Sequence, residues 1–453
     1  MSLAALLSTG DRSWYTNPRF QKWALGILAT LAVLEGFWTV FFRDNDFLWH
    51  RHHAEYFLEG RPHGDHYLPA RGFMDIPLAV APYRLTRAVA YIVAVLMLLG
   101  CYRLWNDMAA RTAPTSVPVV RSAGMLTIFL LLPYVMRDLD ECGLQIVLMF
   151  FITVAGWALS RGKSLQVGFW LGTAACYKAT PLLFLPFLLW KRQWRAAAWM
   201  GVFSLLWCAA PSLYSGWEEN LQSHKNWLAG MRKSQPTQQA YPSLPDGGDM
   251  KLNNMSLLAG IARYLETYPK DHPLFVNDKC LENPLFFQFG NLPPDSARYT
   301  MYGILASLGS WFAWKTRRLW GVNYAQPQAI HGAFVGEWAA VCALCALLSP
   351  LCWKQHMILI LPCMFLAIRS KLNAKGPFGG RMSPIWACSA LMCLFPGPDI
   401  FGGSFSAVLH SYKLHTLGAT ILMVRALFLP WGGAGAAIRA VTVGSRGLLP
   451  RAA

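Results

Sequence analysis

The stretch Gly172–Trp190, GTAACYKATPLLFLPFLLW, contains Lys178 as its only charged residue. A lysine in the hydrocarbon core of a bilayer costs roughly 2.5–3.5 kcal/mol on insertion scales, so its presence needs a physical explanation. The apolar run around it covers residues 165–190, with one basic patch before it at 161–163 and another after it at 191–195. Basic loops favour the cytoplasmic side of a membrane, yet a single span would place the two patches on opposite sides.

Two short helices that run up and back keep both patches on one side. Pro181 favours the break between them, because the residue before a proline avoids helical geometry. The sequence therefore predicts a hairpin over 165–190 with Lys178 to Pro181 at its tip. At about 1.5 Å per residue each arm covers roughly 18–20 Å, less than the roughly 30 Å core, which places the tip in the outer half of the membrane. One long tilted helix with a snorkelling Lys178 is the alternative.

The rest of the chain has the composition of a membrane protein. Its 453 residues are 55% hydrophobic and 14% charged, whereas soluble domains contain about 25% charged residues. Long apolar runs recur, which predicts an all-α polytopic membrane protein of about 12 helices, with the hairpin counted as two. The first run, 23–42, has no small-residue cleavage site, so we expect a retained helix.

Charge patterning predicts the orientation of this single integral membrane domain over 1–453. The two termini, the segment 103–121 and the short patches between runs contain 22 Lys and Arg residues but only two acids, Asp11 and Asp107. This asymmetry predicts a multi-pass protein with both termini cytoplasmic. The membrane is expected to be the plasma (cell inner) membrane. The predicted outer side then receives a first segment at 43–84 and a large loop at 215–296, and the basic tail 426–453 is cytoplasmic.

Several function classes are disfavoured. The net charge of +17 is explained by cytoplasmic basic loops, so we expect no nucleic acid partner. Most of the 11 cysteines lie in or beside apolar runs, including the one CxxC spacing at Cys342 and Cys345, so we expect neither a disulfide framework nor a zinc site. The phosphate-loop pattern GxxxxGK[ST] and the nucleophile-elbow pattern GxSxG are both absent.

The first outer segment contains a candidate general base. Its sequence FFRDNDFLWHRHHAEYFLEG predicts a short helix from Asp46 to Gly60 at the membrane surface. Asp46, at the helix start, is either an N-cap or a base that takes a proton from an acceptor hydroxyl. Three histidines, His50, His52 and His53, lack the i, i+4 spacing of metal ligands, and a solvated polar face is expected for them.

A second polar group lies in the turn LLSPLCWKQHMILILP. Trp353 is placed as an interface anchor, and Lys354 and His356 are donors on the same predicted outer face as Lys178. Gln145, at the head of another helix, adds a further polar group, which follows three acids at 138–141. Such a face suits a lipid phosphate held by Lys and His beside a carboxylate. A transporter or flippase of lipid-linked sugars is the alternative, although transporters place their charges near the midplane.

Four stretches resemble one family in order along the chain. The first two are DFLWHRHHAEYFLEGRPHGDHYLP, in which His50 stands where tyrosine is usual, and GFWLGTAACYKATPLLFLPFLLWKRQWRAA, which resembles a G-x-x-x-G-x-A-x-x-x-K-x-x-P segment. The others are NNMSLLAGIARYL and LLSPLCWKQHMILILP, which resembles S-P-x-x-W-x-x-H. The family is glycosyltransferase family 87, which includes polyprenol-phosphate-mannose-dependent α-1,2-mannosyltransferases, and the resemblance covers residues 40–370.

The resemblance implies a GT-C fold and an inverting hexosyltransferase with its active site on the outer face. The sugar that it implies first is mannose. It implies Asp46 as the catalytic base and Lys178 and His356 as ligands of the donor phosphate, with Lys354 beside them. Four further residues are expected to line the substrate: Asn254, Ser256, Gln145 and Trp353. The implied partners are a polyprenyl-phosphate sugar donor, a lipid or glycan acceptor and membrane lipids, with no cofactor and no metal. An enzyme-like protein without activity is a third alternative.

Overall fold

The structure is a computed structural model that describes most of the chain. The described residues are 14–43, 46–60, 67–111, 114–233, 254–265, 290, 292–317, 329–349, 351–373, 406, 409–410 and 412–429. Nearly all of the predicted cytoplasmic tail 426–453 lies outside them, and so does Asp44.

Helices make up the fold. In the first part of the chain they are α1 (Pro18–Phe42), α2 (Asp46–Leu58), α3 (Pro69–Met74), α4 (Ile76–Ala79), α5 (Tyr83–Ala110), α6 (Val117–Leu130), α7 (Leu132–Asp140), α8 (Leu144–Leu159) and α9 (Ser164–Tyr177). Then follow α10 (Phe184–Trp190), α11 (Trp194–Ala209), α12 (Ser212–Ser215), α13 (Trp217–Lys233), α14 (Leu257–Leu265), α15 (Pro294–Thr316), α16 (Ala329–Leu347), α17 (Leu361–Asn373) and α18 (Leu414–Ala426). Short 3₁₀ helices cover Trp14–Thr16, Thr180–Leu183 and Lys354–Ile360.

Within the described ranges, four helical segments are long and apolar enough to cross a membrane: Pro18–Phe42, Tyr83–Ala110, Trp194–Ser215 and Lys354–Asn373. The helices α6 and α7 make a fifth if they are one span bent by 72°. Shorter apolar helices, α8 and α16 among them, fill the interior. The prediction of an all-α polytopic membrane protein is confirmed.

The hairpin at 165–190 is also confirmed. The helix α9 ends at Tyr177, and Lys178 has extended backbone angles (φ −154°, ψ 132°) before the chain continues through Thr180–Leu183 into α10. A β-carbon on Gly168 would lie 2.2 Å from Cβ of Trp199, and one on Gly172 would lie 2.8 Å from Cβ of Phe203.

These two contacts decide the direction of the chain. The numbers of the contacting residues rise together along α9 and α11, so the two helices pack in parallel. The segment between them, including α10, must therefore return from the far end of α9 to the level of its start. Lys178 lies at the turn, and the single long tilted helix is excluded. We call this end of the bundle the Lys178 end.

The structure adds one buried ion pair and corrects one prediction. Lys191, in the basic patch 191–195, is completely buried and forms an ion pair with Glu337 of α16 (Nζ to Oε2 2.7 Å). The apolar spacing of KLNNMSLLAGIARYL, residues 251–265, predicts an amphipathic helix that lies at the outer surface. In the structure this helix begins at Leu257, and its Gly260, Ala262 and Arg263 are buried against neighbouring helices. This helix is packed into the protein and does not lie on the surface.

Candidate functional site

The Lys178 side chain has one hydrogen-bond partner among the described residues. Its ammonium donates to Oε1 of Gln145 at 3.2 Å. Among those residues no carboxylate lies within ion-pair distance of the ammonium. Lys178 is partly exposed, and its ammonium faces a neutral amide.

Gln145 is held in place by the start of its own helix. The buried carboxylate of Asp138 accepts hydrogen bonds from the backbone N–H groups of Gln145 (3.0 Å) and Ile146 (2.8 Å). The chain enters α8 through Gly143 at φ +72°, where a β-carbon would lie 2.2 Å from Cβ of Ala94. Asp138 thus satisfies two of the N–H groups that a helix leaves unpaired at its N-terminus, and it fixes the orientation of the Gln145 backbone.

On the other side of the tip, Arg71 of α3 holds the backbone immediately before Lys178. Its guanidinium donates to the carbonyl oxygen of Tyr177 at 3.2 Å and stacks over the Tyr177 ring, 3.5 Å from the ring centroid. The same guanidinium donates to Asp75 (2.5 Å) and lies 3.2 Å from Nδ1 of His50. Burial acts to raise the pKa of Asp75, but Arg71 and His50 outweigh it, and the pKa lies below its usual value.

The expectation of a solvated histidine face on α2 is wrong for two of the three residues. His50 and His53 are buried (5% and 4% exposed), and only His52 faces outward, where it contacts Glu55. The helix itself is confirmed, with Asp46 as its first residue and Gly60 just beyond its end at φ +66°.

The placement of Asp46 is known from its backbone only. It stands one helical turn before His50, and its side chain lies outside the described part of the structure. Its assignment as catalytic base therefore stays a prediction.

The turn that contains His356 packs against α8, the helix that carries Gln145. His356 is buried, and its Nδ1 lies 3.1 Å from the Trp353 nitrogen. The neighbouring Gln355 donates to Glu141 (2.8 Å), which ties this turn to the end of α7. Trp353 and Lys354 are partly exposed.

Asn254 and Ser256 are buried and have structural partners. Oδ1 of Asn254 accepts the N–H groups of Cys352 (3.0 Å) and Ser256 (3.1 Å), and Oγ of Ser256 accepts the N–H of Ala259 at the start of α14. These bonds place the loop against the His356 turn. A role for either residue in acceptor binding stays a prediction.

No group of three or more His, Cys, Asp and Glu side chains within the described ranges is arranged to hold a metal ion. The geometry instead brings together a lysine, a glutamine and a histidine from three separate segments at one end of the bundle.

Residues 66–265 match the model of glycosyltransferase family 87. The match confirms the resemblance over this part of the chain and, with the apolar helices, supports a membrane glycosyltransferase. It includes Lys178 and Gln145, whereas Asp46 and His356 lie beyond its ends. No curated protein and no solved structure matches the chain significantly.

Sequence reasoning missed Arg71 and Asp75. Their signal was present in the i, i+4 spacing of an arginine and an aspartate within an otherwise weakly charged segment. This spacing did not reveal that Arg71 also contacts Tyr177, because Tyr177 is 106 positions further along the chain.

Proposed function

We propose that this membrane glycosyltransferase moves a hexose, in the first instance mannose, from a polyprenyl phosphate to a lipid or glycan acceptor. The observation that carries the proposal is the Lys178 ammonium, placed at a hairpin tip with a neutral partner. An ammonium has three N–H donors, and Gln145 accepts from one of them. Two donors remain for the oxygens of a phosphate.

A phosphate at the tip would offset the cost of placing Lys178 there. Charge-assisted hydrogen bonds to phosphate are short and strong, and the low local dielectric increases their energy. As the bond between the sugar and the phosphate breaks, negative charge grows on the leaving phosphate oxygen. Lys178 would stabilise that charge, with His356 close by and Lys354 on the same turn.

The remaining chemistry needs a single base. The acceptor hydroxyl gives its proton to the Asp46 carboxylate while its oxygen bonds to the anomeric carbon. The electron pair of the old carbon–oxygen bond leaves with the polyprenyl phosphate, so the anomeric configuration inverts. Support for this placement comes from α2, which is tied to the tip through His50, Arg71 and the Tyr177 carbonyl.

An apolar cavity of about 350 Å³ offers space for part of the donor chain. It is lined by side chains of α1, α5, α6, α7 and α17. The apolar side of α7, with Val135 and Leu139, faces this cavity, and Asp138 of the same helix accepts the backbone N–H of Gln145. An isoprenoid chain in the cavity would thus extend toward the Lys178 end, which the charge pattern predicts to be the outer face.

The test is sugar transfer by the purified full-length protein in lipid nanodiscs. Radiolabelled polyprenyl-phosphate mannose and glucose are supplied with a membrane lipid extract as acceptor, and the products are separated by chromatography. We expect transfer by the native chain and a loss of roughly 10²-fold or more for Asp46→Asn, with donor binding retained.

Two results would overturn the proposal. One is a purified protein that consumes neither donor with any acceptor fraction. The other is equal transfer by Asp46→Asn and the native chain. In proteoliposomes, movement of intact donor across the bilayer without consumption would favour the transporter alternative.

A further inference from the structure

Two cysteines lie on the parallel helices α9 and α11, one turn beyond the close contacts at Gly168 and Gly172. The sulfur atoms of Cys176 and Cys208 are 3.8 Å apart. A disulfide needs about 2.05 Å between the sulfurs and close approach of the two backbones. The glycine contacts provide that approach, because they bring the two helix backbones close together on the adjacent turns.

The two thiols differ in access. Cys176 is buried (2% exposed), and its sulfur also lies 3.4 Å from the carbonyl oxygen of Ser204. Cys208 is half-buried, at the end of α11. An attacking reagent therefore reaches Cys208 first, and Cys176 stands behind it.

A histidine is held beside Cys208 by the next helix. Asn220 of α13 donates to the carbonyl oxygen of Cys208 (2.9 Å) and to Oγ of Ser212 (2.8 Å), which fixes α13 against the end of α11. One turn later, Nδ1 of His224 lies 2.9 Å from the carbonyl oxygen of Asn220. A carbonyl only accepts, so Nδ1 carries the hydrogen and Nε2 of the neutral ring has the lone pair.

The Nε2 atom is available as a base. It is buried and has no hydrogen-bond partner among the residues that the structure describes. The pKa of His224 lies above its usual value, because the interaction of its ring with the Cys208 side chain outweighs burial, which acts in the opposite direction. A thiol next to a histidine base has the arrangement that activates cysteine for attack.

We propose that Cys176 and Cys208 are a redox-active thiol pair that closes to a disulfide by exchange with a disulfide-carrying oxidant such as oxidised glutathione. His224 takes the proton of Cys208, and the thiolate attacks one sulfur of the oxidant and releases the first thiol. Cys176 then attacks the Cys208 sulfur, gives up its proton and releases the second thiol. Two protein thiols and one disulfide thus become one protein disulfide and two small thiols.

The new bond would tie α9 to α11 two residues before Lys178. It would fix the arm that carries the tip, at the end of the bundle that the charge pattern predicts to face the oxidising outer side. The pair is independent of sugar transfer, so its test does not depend on the proposed function.

The first experiment uses the native full-length protein in detergent, treated with oxidised glutathione or left reduced. Free thiols are blocked with iodoacetamide under denaturing conditions, and the peptides are mapped by mass spectrometry. We expect a linked peptide pair joining residues 176 and 208, with loss of two hydrogens. The core thiols Cys101, Cys345 and Cys363, all buried, serve as internal controls and should be alkylated equally with and without oxidised glutathione. Full alkylation of both Cys176 and Cys208 after oxidation would overturn the proposal.

Two variants test the order of events and the base. In Cys176→Ser we expect one glutathione trapped on Cys208, because the resolving thiol is gone. Absence of this mixed disulfide would overturn the assignment of Cys208 as the attacking group.

In His224→Asn we expect oxidation at pH 7 to slow roughly tenfold, since a smaller fraction of Cys208 is thiolate. His52→Asn, on the exposed side of α2, is the matched control and should leave the rate unchanged. Equal rates for His224→Asn and the native chain would overturn His224 as the base.

Discussion

Lys178 and Lys191 belong to the same hairpin, but only Lys191 has a carboxylate partner among the described residues. Lys191, at the base of the returning arm, is completely buried, lies 2.7 Å from the Glu337 carboxylate and also donates to the Thr316 carbonyl oxygen. Lys178, at the tip, is partly exposed and donates to the neutral amide of Gln145.

The difference separates two uses of a lysine near a membrane. A buried ammonium that has a carboxylate partner is an internal tie, and its charge is not available to a ligand. An ammonium with a neutral partner retains its charge, and a phosphate can supply the counter-charge. The contrast predicts that changes at Lys191 and its partner affect the stability of the protein, whereas changes at Lys178 affect the rate of sugar transfer.

The largest expected effect is on stability, from Glu337→Ala. It leaves the Lys191 ammonium buried without its carboxylate, which costs about 3–5 kcal/mol of unfolding free energy. Denaturant-induced unfolding in mixed micelles measures it. The paired change Lys191→Met with Glu337→Leu removes both charges and should restore stability close to that of the native chain. Equal stability of Glu337→Ala and the native protein would contradict the role of the Lys191–Glu337 ion pair in stability.

The next effect is on transfer, from Lys178→Met. Loss of the ammonium that faces the leaving phosphate should lower the transfer rate by roughly 10²–10³-fold. Unfolding free energy should stay level, because no carboxylate is left without its partner. Lys163→Met, an exposed lysine at the opposite end of α9, is the control and should leave transfer unchanged. A stability loss as large as that of Glu337→Ala would show that the two lysines have the same role.

A smaller effect is expected from Asp75→Asn, which weakens the support behind the tip. At neutral pH the loss of the charged hydrogen bonds to Arg71 should cost about 1.5–3 kcal/mol. The pKa of Asp75 is lower in the folded protein than its usual 3.8, so the carboxylate stabilises the fold at any pH above that usual value.

The pH dependence of Asp75→Asn checks the sign of this contribution. The stabilisation is lost as the pH falls through the folded-state pKa, so the native chain and the variant should converge below about pH 4. Glu55→Gln, which breaks the partly exposed pair with Arg51, is the comparison and should cost less than about 0.5 kcal/mol. A constant difference between the native chain and Asp75→Asn from pH 7 to pH 3 would contradict the assignment.

The smallest effect is expected from Gln145→Leu. It removes one neutral acceptor from Lys178 and should weaken donor binding by roughly fivefold, equivalent to about 1 kcal/mol, with little change in stability. Binding of a radiolabelled donor to the purified protein measures this. The matched change Gln145→Glu gives Lys178 a carboxylate partner, as Glu337 is for Lys191. Donor binding should therefore fall below that of Gln145→Leu. Unchanged binding by Gln145→Glu would contradict the role of the neutral partner.

The hairpin was predictable because it follows from charge placement, which acts over the whole membrane and is visible in the chain itself. The helix from Asp46 was predictable for a similar reason, since its start and stop signals are local. The contacts that hold Lys178 were not, because Arg71 and Tyr177 meet only after several helices have packed.

The burial of Lys191 was not predictable for the same physical reason. A basic residue that follows an apolar run is usually a solvated end of a helix, and the sequence around it gives no other indication. The missing signal was Glu337, a lone acid inside an apolar run whose burial requires a partner of opposite charge. Pairing such isolated charges across the chain would have suggested the ion pair between Lys191 and Glu337.

The parallel packing of α9 and α11 also has a consequence for biogenesis. The 14 residues of α9 reach only about 21 Å, too short to be inserted as an independent span. Its closest neighbour is α11, whose Trp199 and Phe203 contact Gly168 and Gly172. We therefore expect α9 to reach its final packing, with Lys178 at the tip, only after α11 has been synthesised up to residue 209. The position of the hairpin tip thus depends on α11, a helix that is synthesised after it.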